Sequence, residues 1–122
     1  MMLMQRAARE QVAMDINIQA IHAEAKQEAA RAAGDLLAKR GGRDSMPCGF
    51  AWVNVYGVKL STKLGRRMAQ LGYSKSYEGG IQIWNPSGSM VQNVDIKLAG
   101  AEAYAGVLRK HGLDAHANSR QD

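Results

Sequence analysis

One cysteine, two prolines and no aromatic residue before Phe50 are what this 122-residue chain has least of. A lone Cys48 rules out an internal disulfide framework and fits a reducing compartment. No window approaches the roughly 18 apolar residues that a membrane span needs, and Met1-Met2-Leu3-Met4-Gln5-Arg6 lacks an apolar run long enough for a signal peptide. No membrane partner is therefore expected. The sequence shows no cofactor motif. His22, His111 and His116 have no zinc spacing, Cys48 has no base paired with it by motif, and G-x-x-x-x-G-K-[ST] is absent. Asp95-x-Lys97 lacks the further acidic ligand that a metal nuclease requires. No acid–base pair is visible from spacing, so binding is expected rather than catalysis.

What is present divides at Met46. Apolar residues make up 46% and charged residues 22%, ordinary values for a folded protein, and the length suits one domain plus an appendage. The net charge of +5 favours polyanionic partners. From Leu3 to Arg40 the only helix breaker is Gly34, and alanine is abundant, which predicts one long helix. Ala7, Met14, Ile18, Ile21, Ala25, Ala32 and Leu36 draw a narrow seam of small apolar residues. Such a helix outreaches a module of about 75 residues. Residues 1–41 are accordingly expected to project as an oligomerisation or docking arm, giving a homo-oligomer. The alternative is a bent helix that covers its own sheet. Residues 42–47 would be a linker.

Residues 48–122 read as strand, helix, hairpin, helix, strand. Gly49 to Tyr56 alternates strictly, with Ala51, Val53 and Val55 on one face and Phe50, Trp52, Asn54 and Tyr56 on the other. Ser61 or Thr62 caps a short helix to Leu71, with Leu64, Met68 and Leu71 on its buried face. Tyr73 to Glu78 and Ile81 to Asn85 flank Gly79-Gly80 as a two-residue hairpin. A helix from Val94 to His111, capped by Asn93, would bury Ile96, Ala99, Ala103 and Val107. A last strand would run from Asp114 to Ser119. Both module helices end in glycine followed by an apolar residue, the pattern of a Schellman closure. The order β-α-β-β-α-β predicts an α+β chain in which the long helix precedes a ferredoxin-like plait with a four-stranded antiparallel sheet.

In such a plait the face opposite the helices displays Trp52, Asn54 and Tyr56 beside Gln82 and Trp84. Aromatic faces stack nucleobases, and the amides can meet base edges. Lys59, Lys63, Arg66 and Arg67 surround the start of the first module helix, where free backbone N–H groups attract anions. His116, Asn118 and Arg120 alternate along the last strand, so Arg120 could clamp a phosphate beside Trp52. The expected ligand-binding set is Trp52, Asn54, Tyr56, Lys63, Arg66, Gln82, Trp84 and Arg120, and the expected partner is nucleic acid or a nucleotide. Burial of the indoles under the N-terminal helix or a second subunit is the competing expectation.

The strings Cys48-Gly49-Phe50-Ala51-Trp52-Val53, Trp84-Asn85-Pro86-Ser87, Gln92-Asn93-Val94-Asp95 and Ser119-Arg120-Gln121-Asp122 resemble those of small uncharacterised proteins encoded by tailed bacteriophages. The resemblance covers residues 48–122 and carries no family mechanism. It implies a phage gene product in the host bacterial cytoplasm, acting by binding on host machinery or defence. A host protein, inhibited or assembled through the helix and sheet, is thus the alternative partner.

Overall fold

A computed structural model describes residues 16–122. The chain is an α+β protein with three described helices and one four-stranded antiparallel sheet. In chain order these are α1 (Ile18–Lys39), β1 (Gly49–Tyr56), α2 (Lys63–Gln70), β2 (Ser74–Lys75), β3 (Ile81–Trp84), α3 (Val94–Lys110) and β4 (Asp114–Gln121). The strand order is β2-β3-β1-β4. β1 lies in the middle, with Trp52 opposite Trp84 on one side and Asn118 on the other.

Local chemistry sets the helix boundaries. The side chains of Asn17, Thr62 and Asn93 accept the N–H groups of Ala20, Gly65 and Ile96, which caps the three N-termini. All three C-termini close as Schellman motifs. Gly42 and Gly41 donate to Leu37 and Ala38, Tyr73 and Gly72 to Met68 and Ala69, and Leu113 and Gly112 to Leu108 and Arg109. Gly41, Gly72 and Gly112 have positive φ, as this closure requires.

The helix expected to run unbroken from Leu3 does not do so, because Asn17 lies outside the helical conformation and caps α1. The part before residue 16, with Ala7 and Met14, lies outside the described residues. Within the described part α1 does not project. Its Ile18, Ile21, Ala25 and Ala29 join one hydrophobic cluster with Ala51, Val53 and Val55 of β1 and Ala101, Tyr104, Ala105 and Leu108 of α3. The buried row continues to Ala33, while Ala32 and Leu36 are only half-buried, since steps of four follow the groove of α3 better than the predicted seven-residue step. Among the described residues the seam from Ile18 to Ala25 is therefore buried within the chain. Gly100 makes room on two sides: a Cβ there would stand 2.6 Å from Ser87 Cβ and 3.2 Å from the Ala29 carbonyl oxygen of α1.

Because α1 and the sheet flank α3 together, α3 is buried more broadly than the predicted stripe. Gly100, Ala101, Tyr104, Ala105 and Leu108 are buried, whereas Ala99 and Ala103 are half-exposed. The hairpin also differs. Ser76 to Gly80 form the connection, held by Ser76 N–H donating to the Gly80 carbonyl, so β2 keeps only two residues and Tyr77 is fully exposed. The stretch expected to be a linker is fastened instead. The Asp44 carboxylate accepts the N–H groups of Gln92 and Asn93, Asn93 donates to the Ser45 carbonyl, and Arg40 bonds both Asn93 and Asp95.

A polar chain crosses the helix layer: Tyr73 and Tyr104 hydroxyls lie 2.6 Å apart, and Tyr104 meets His22 Nδ1 at 2.7 Å. Burial pushes both phenols above their ordinary range. With His22 neutral and its proton on Nε2, Tyr104 donates to Nδ1 and accepts from Tyr73. A protonated His22 reverses that chain and leaves the Tyr73 hydrogen without an acceptor in it. Burial, assisted by Lys26, holds the imidazole below its usual value, in agreement with this direction. The folded pKa then lies under the unfolded value of about 6.5, so the unfolded chain binds more protons between the two. Stability is full above that window and falls as pH descends through it. Urea midpoints measured from about pH 7 to about pH 5 should decline, and less steeply in His22→Gln.

Two glycines give a contrasting pair. A Cβ on Gly65 would stand 1.9 Å from the Lys59 carbonyl oxygen, whereas one on Gly34 meets nothing within 4 Å. Gly65→Ala should destabilise by about 2 kcal/mol or more, and Gly34→Ala should stabilise by about 1 kcal/mol, read as opposite shifts in urea midpoint.

Candidate functional site

The alternation of β1 builds the site. Ala51, Val53 and Val55 face the helices and are fully buried, so Phe50, Trp52, Asn54 and Tyr56 emerge on the other side. Register brings Gln82 and Trp84 of β3, and Asp114, His116, Asn118 and Arg120 of β4, onto the same side. No described helix covers that side.

Asn85 N–H donates to the Ala51 carbonyl, which makes Trp52 and Trp84 a non-hydrogen-bonded pair, the kind whose side chains stand closest. Their rings stack with centroids 4.9 Å apart at 28°, and Phe50 meets Trp84 edge-on at 6.1 Å. Trp84 remains 47% exposed and Phe50 38%, with Trp52 half-buried between its neighbours. Two cations approach Phe50: Lys97 Nζ lies 5.6 Å and the Arg120 guanidinium 5.9 Å from its ring centre. Lys97 is buried and donates to the Gly49 carbonyl at 3.0 Å, while Arg120 is exposed. Tyr56 sits at the other end of β1, 5.8 Å from the His116 ring, and His116 bonds Asp114.

Asn54 differs from its expected role. It is fully buried, its Oδ1 accepts from Trp52 Nε1 and Asn118 Nδ2, and its Nδ2 donates to Ser76 Oγ. No polar atom of Asn54 is left for a base edge. It instead fixes the Trp52 indole and ties β1 to β4 and to the Ser76 turn.

The expected cations are not gathered. Arg120 pairs with Phe50 at the start of β1, whereas Lys63 and Arg66 sit on α2, which follows the far end of β1 and turns Met68 into the core. The six residue steps between Phe50 and Tyr56 span roughly 20 Å. Arg66 is also engaged, donating to the Ser61 carbonyl. Lys59 and Lys75 flank a separate shallow cavity of about 390 Å³, lined further by Val58, Leu60, Gly80 and Ile81. The structure thus brings together Trp52, Tyr56, Gln82, Trp84 and Arg120 on one face, buries Asn54 beneath it, and sets Lys63 and Arg66 apart.

Phe50, Asn118 and Lys97 belong to this face or its rim but were absent from the predicted set. Strand alternation was a sufficient signal for the first two. Lys97 had none, because only tertiary packing brings a helical lysine to the end of β1. Among the described residues no group of three or more His, Cys, Asp or Glu is placed to hold a metal ion, and no helix is long and apolar enough to cross a membrane. No protein-family model, curated protein or solved structure matches this chain.

Asn54→Ala would leave the Trp52 and Asn118 N–H donors without their shared acceptor and would take from Ser76 Oγ one of its two donors, the Glu78 N–H remaining. A loss of about 1 to 3 kcal/mol is expected in urea unfolding, together with a changed tryptophan emission maximum.

Proposed function

We propose that this chain is a non-enzymatic protein that binds single-stranded nucleic acid, or a nucleotide of the same base-and-phosphate chemistry, on the open face of its sheet. The observation carrying the reading is the Phe50–Trp84–Trp52 cluster, half-exposed on the side away from the helices with Arg120 beside it. Unstacked bases find flat apolar partners there, and a neighbouring guanidinium suits phosphate. Duplex bases are already stacked and offer no face to these rings, so a single strand is favoured.

The finer architecture supports the same reading. The order β2-β3-β1-β4, with every neighbour antiparallel and α2 and α3 in the two crossovers, suits a ferredoxin-like plait built from interlocked βαβ halves. Its helix-free face is the natural platform for a ligand. Tyr77 to Trp84 do not reproduce the aromatic strand signature of RNA-recognition motifs, so any similarity to them is architectural. The motif resemblance to tailed-phage proteins supports a setting in the host bacterial cytoplasm, where such binding would counter host functions or defence. Docking of this same aromatic face on a host protein is the other outcome of the test.

The test is a fluorescence titration with single-stranded DNA and RNA oligonucleotides and with nucleoside monophosphates over a range of salt. Trp84→Ala should weaken oligonucleotide binding roughly 5- to 150-fold, the equivalent of about 1 to 3 kcal/mol, with far-ultraviolet circular dichroism unchanged. The wild-type slope of log K against log salt should be about −0.7 to −1.4, corresponding to one or two phosphates. Equal affinity in wild type and Trp84→Ala, or no binding at low salt, overturns the proposal and leaves protein docking in its place.

A further inference from the structure

β4 is an edge strand of eight residues, paired with β1 on one side and with no described strand on the other. Edge strands of this length are usually blunted by proline, lysine or a bulge. Asp114-Ala115-His116-Ala117-Asn118-Ser119-Arg120-Gln121 contains neither proline nor lysine, its charged Asp114 and Arg120 pair with Tyr56 and Phe50 on the aromatic face, and its register with β1 is unbroken from Asp114 to Gln121.

The backbone groups along this edge can be assigned. Ala51 is bonded by Asn85, so it points toward β3, and Trp52 with its alternates points toward β4. Their partners His116, Asn118 and Arg120 therefore spend their backbone groups inside the sheet, and Ala115, Ala117, Ser119 and Gln121 direct theirs outward. Ala115 is already occupied, since its carbonyl accepts from Arg109 at 2.7 Å and its N–H donates to Leu113. The open edge begins at Ala117.

We propose that a second copy of this chain pairs antiparallel with β4 about a two-fold axis at Ser119. This register matches the open groups: Ser119 meets the second copy's Ser119, and Ala117 meets its Gln121 in both directions. It also matches the side chains of the open face. His116 falls opposite the second copy's Asp122, and Asn118 opposite its Arg120. Asp114, Arg120 and the following Asp122 sum to a charge of −1 along this edge, so the positive charge of the whole chain is not concentrated there. An isologous pairing is what such self-complementarity satisfies. It differs from assembly through the N-terminal helix, whose described seam is already buried.

The pairing is independent of any ligand, but it has a consequence for the aromatic face. Trp84, Trp52 and Asn118 would lie in one row with the second copy's Arg120 and Phe50. Each protomer would thereby extend the other's row of rings across the axis.

Sedimentation velocity on the full chain without nucleic acid tests the pairing. A concentration-dependent dimer with a dissociation constant between about 1 µM and 1 mM is expected, since an edge alone supplies a small interface. Ser119→Pro and Gln121→Pro each remove an outward N–H and no bond to β1, so either should abolish the dimer with the melting transition retained. If Ser119→Pro does not fold, Gln121→Pro carries the test. A single-chain mass up to about 1 mM, or a dimer undiminished in a folded proline variant, overturns the proposal. Because mass is read without oligonucleotide, this result is separate from the binding titration.

Discussion

The buried carboxamide of Asn54 holds the sheet to one register, and the site depends on that register. In a strand with one aliphatic and one aromatic face, a slip of a single residue would send Trp52 into the helix layer and Val53 outward. Asn54 opposes a slip on either side because, besides Trp52 on its own strand, it bonds Asn118 across on β4 and Ser76 in the turn between β2 and β3. Moving β1 against either neighbour would break one of these bonds at a fully buried amide, at a cost of about 1 to 3 kcal/mol. The same bonds hold the Trp52 indole, which in turn supports the stacked Trp84. Register and platform therefore share one polar hub.

Small residues organise the opposite side. Ala25, Ala29 and Ala33 let α1 lie close to α3, and Gly100 removes the side chain that would have met the Ala29 carbonyl. Such surfaces bury little area per residue, so α1 gains from fastening at both ends. Near its start His22 joins the tyrosine chain, and Glu24 accepts from Lys110 and His111, whose hydrogen bonds hold its carboxyl below the usual range. After its end Arg40 and Asp44 grip the start of α3. With the helices confined to that layer, the aromatic face stays open among the described elements.

Local features were legible in the sequence and long-range ones were not. Strict alternation marked β1 from Gly49 to Tyr56, and glycine followed by an apolar residue marked the ends of α2 and α3, because both signals lie within a few neighbouring residues. The parity that puts both indoles on the helix-free side followed from the same alternation. The fate of the small seam did not, since alanines at helical spacing suit a neighbouring helix in the same chain as well as one in another. Asn54 looked like a ligand contact for a similar reason: a polar residue among aromatics on an open strand face carries no local sign that three side chains will close over it. Lys63 and Arg66 seemed close to the indoles in sequence order, yet they follow the end of β1 farthest from Arg120.

That separation bears on the proposed binding, because it sets how such a face would recognise an anion. A chain of net charge +5 invites the view that electrostatics dominate, but among the described residues the only exposed cation on the aromatic cluster is Arg120, and Lys97 beneath it is already bonded to Gly49. Counterion release scales with the phosphates neutralised, so one guanidinium yields a shallow salt dependence. Stacking contributes about 1 to 3 kcal/mol per base and is little affected by salt. Two bases on Trp84 and Phe50 would thus outweigh the phosphate contact under cellular ionic strength. Under the proposed function, selectivity would come from whether bases are free to stack, which separates single strands from duplexes more sharply than one base from another.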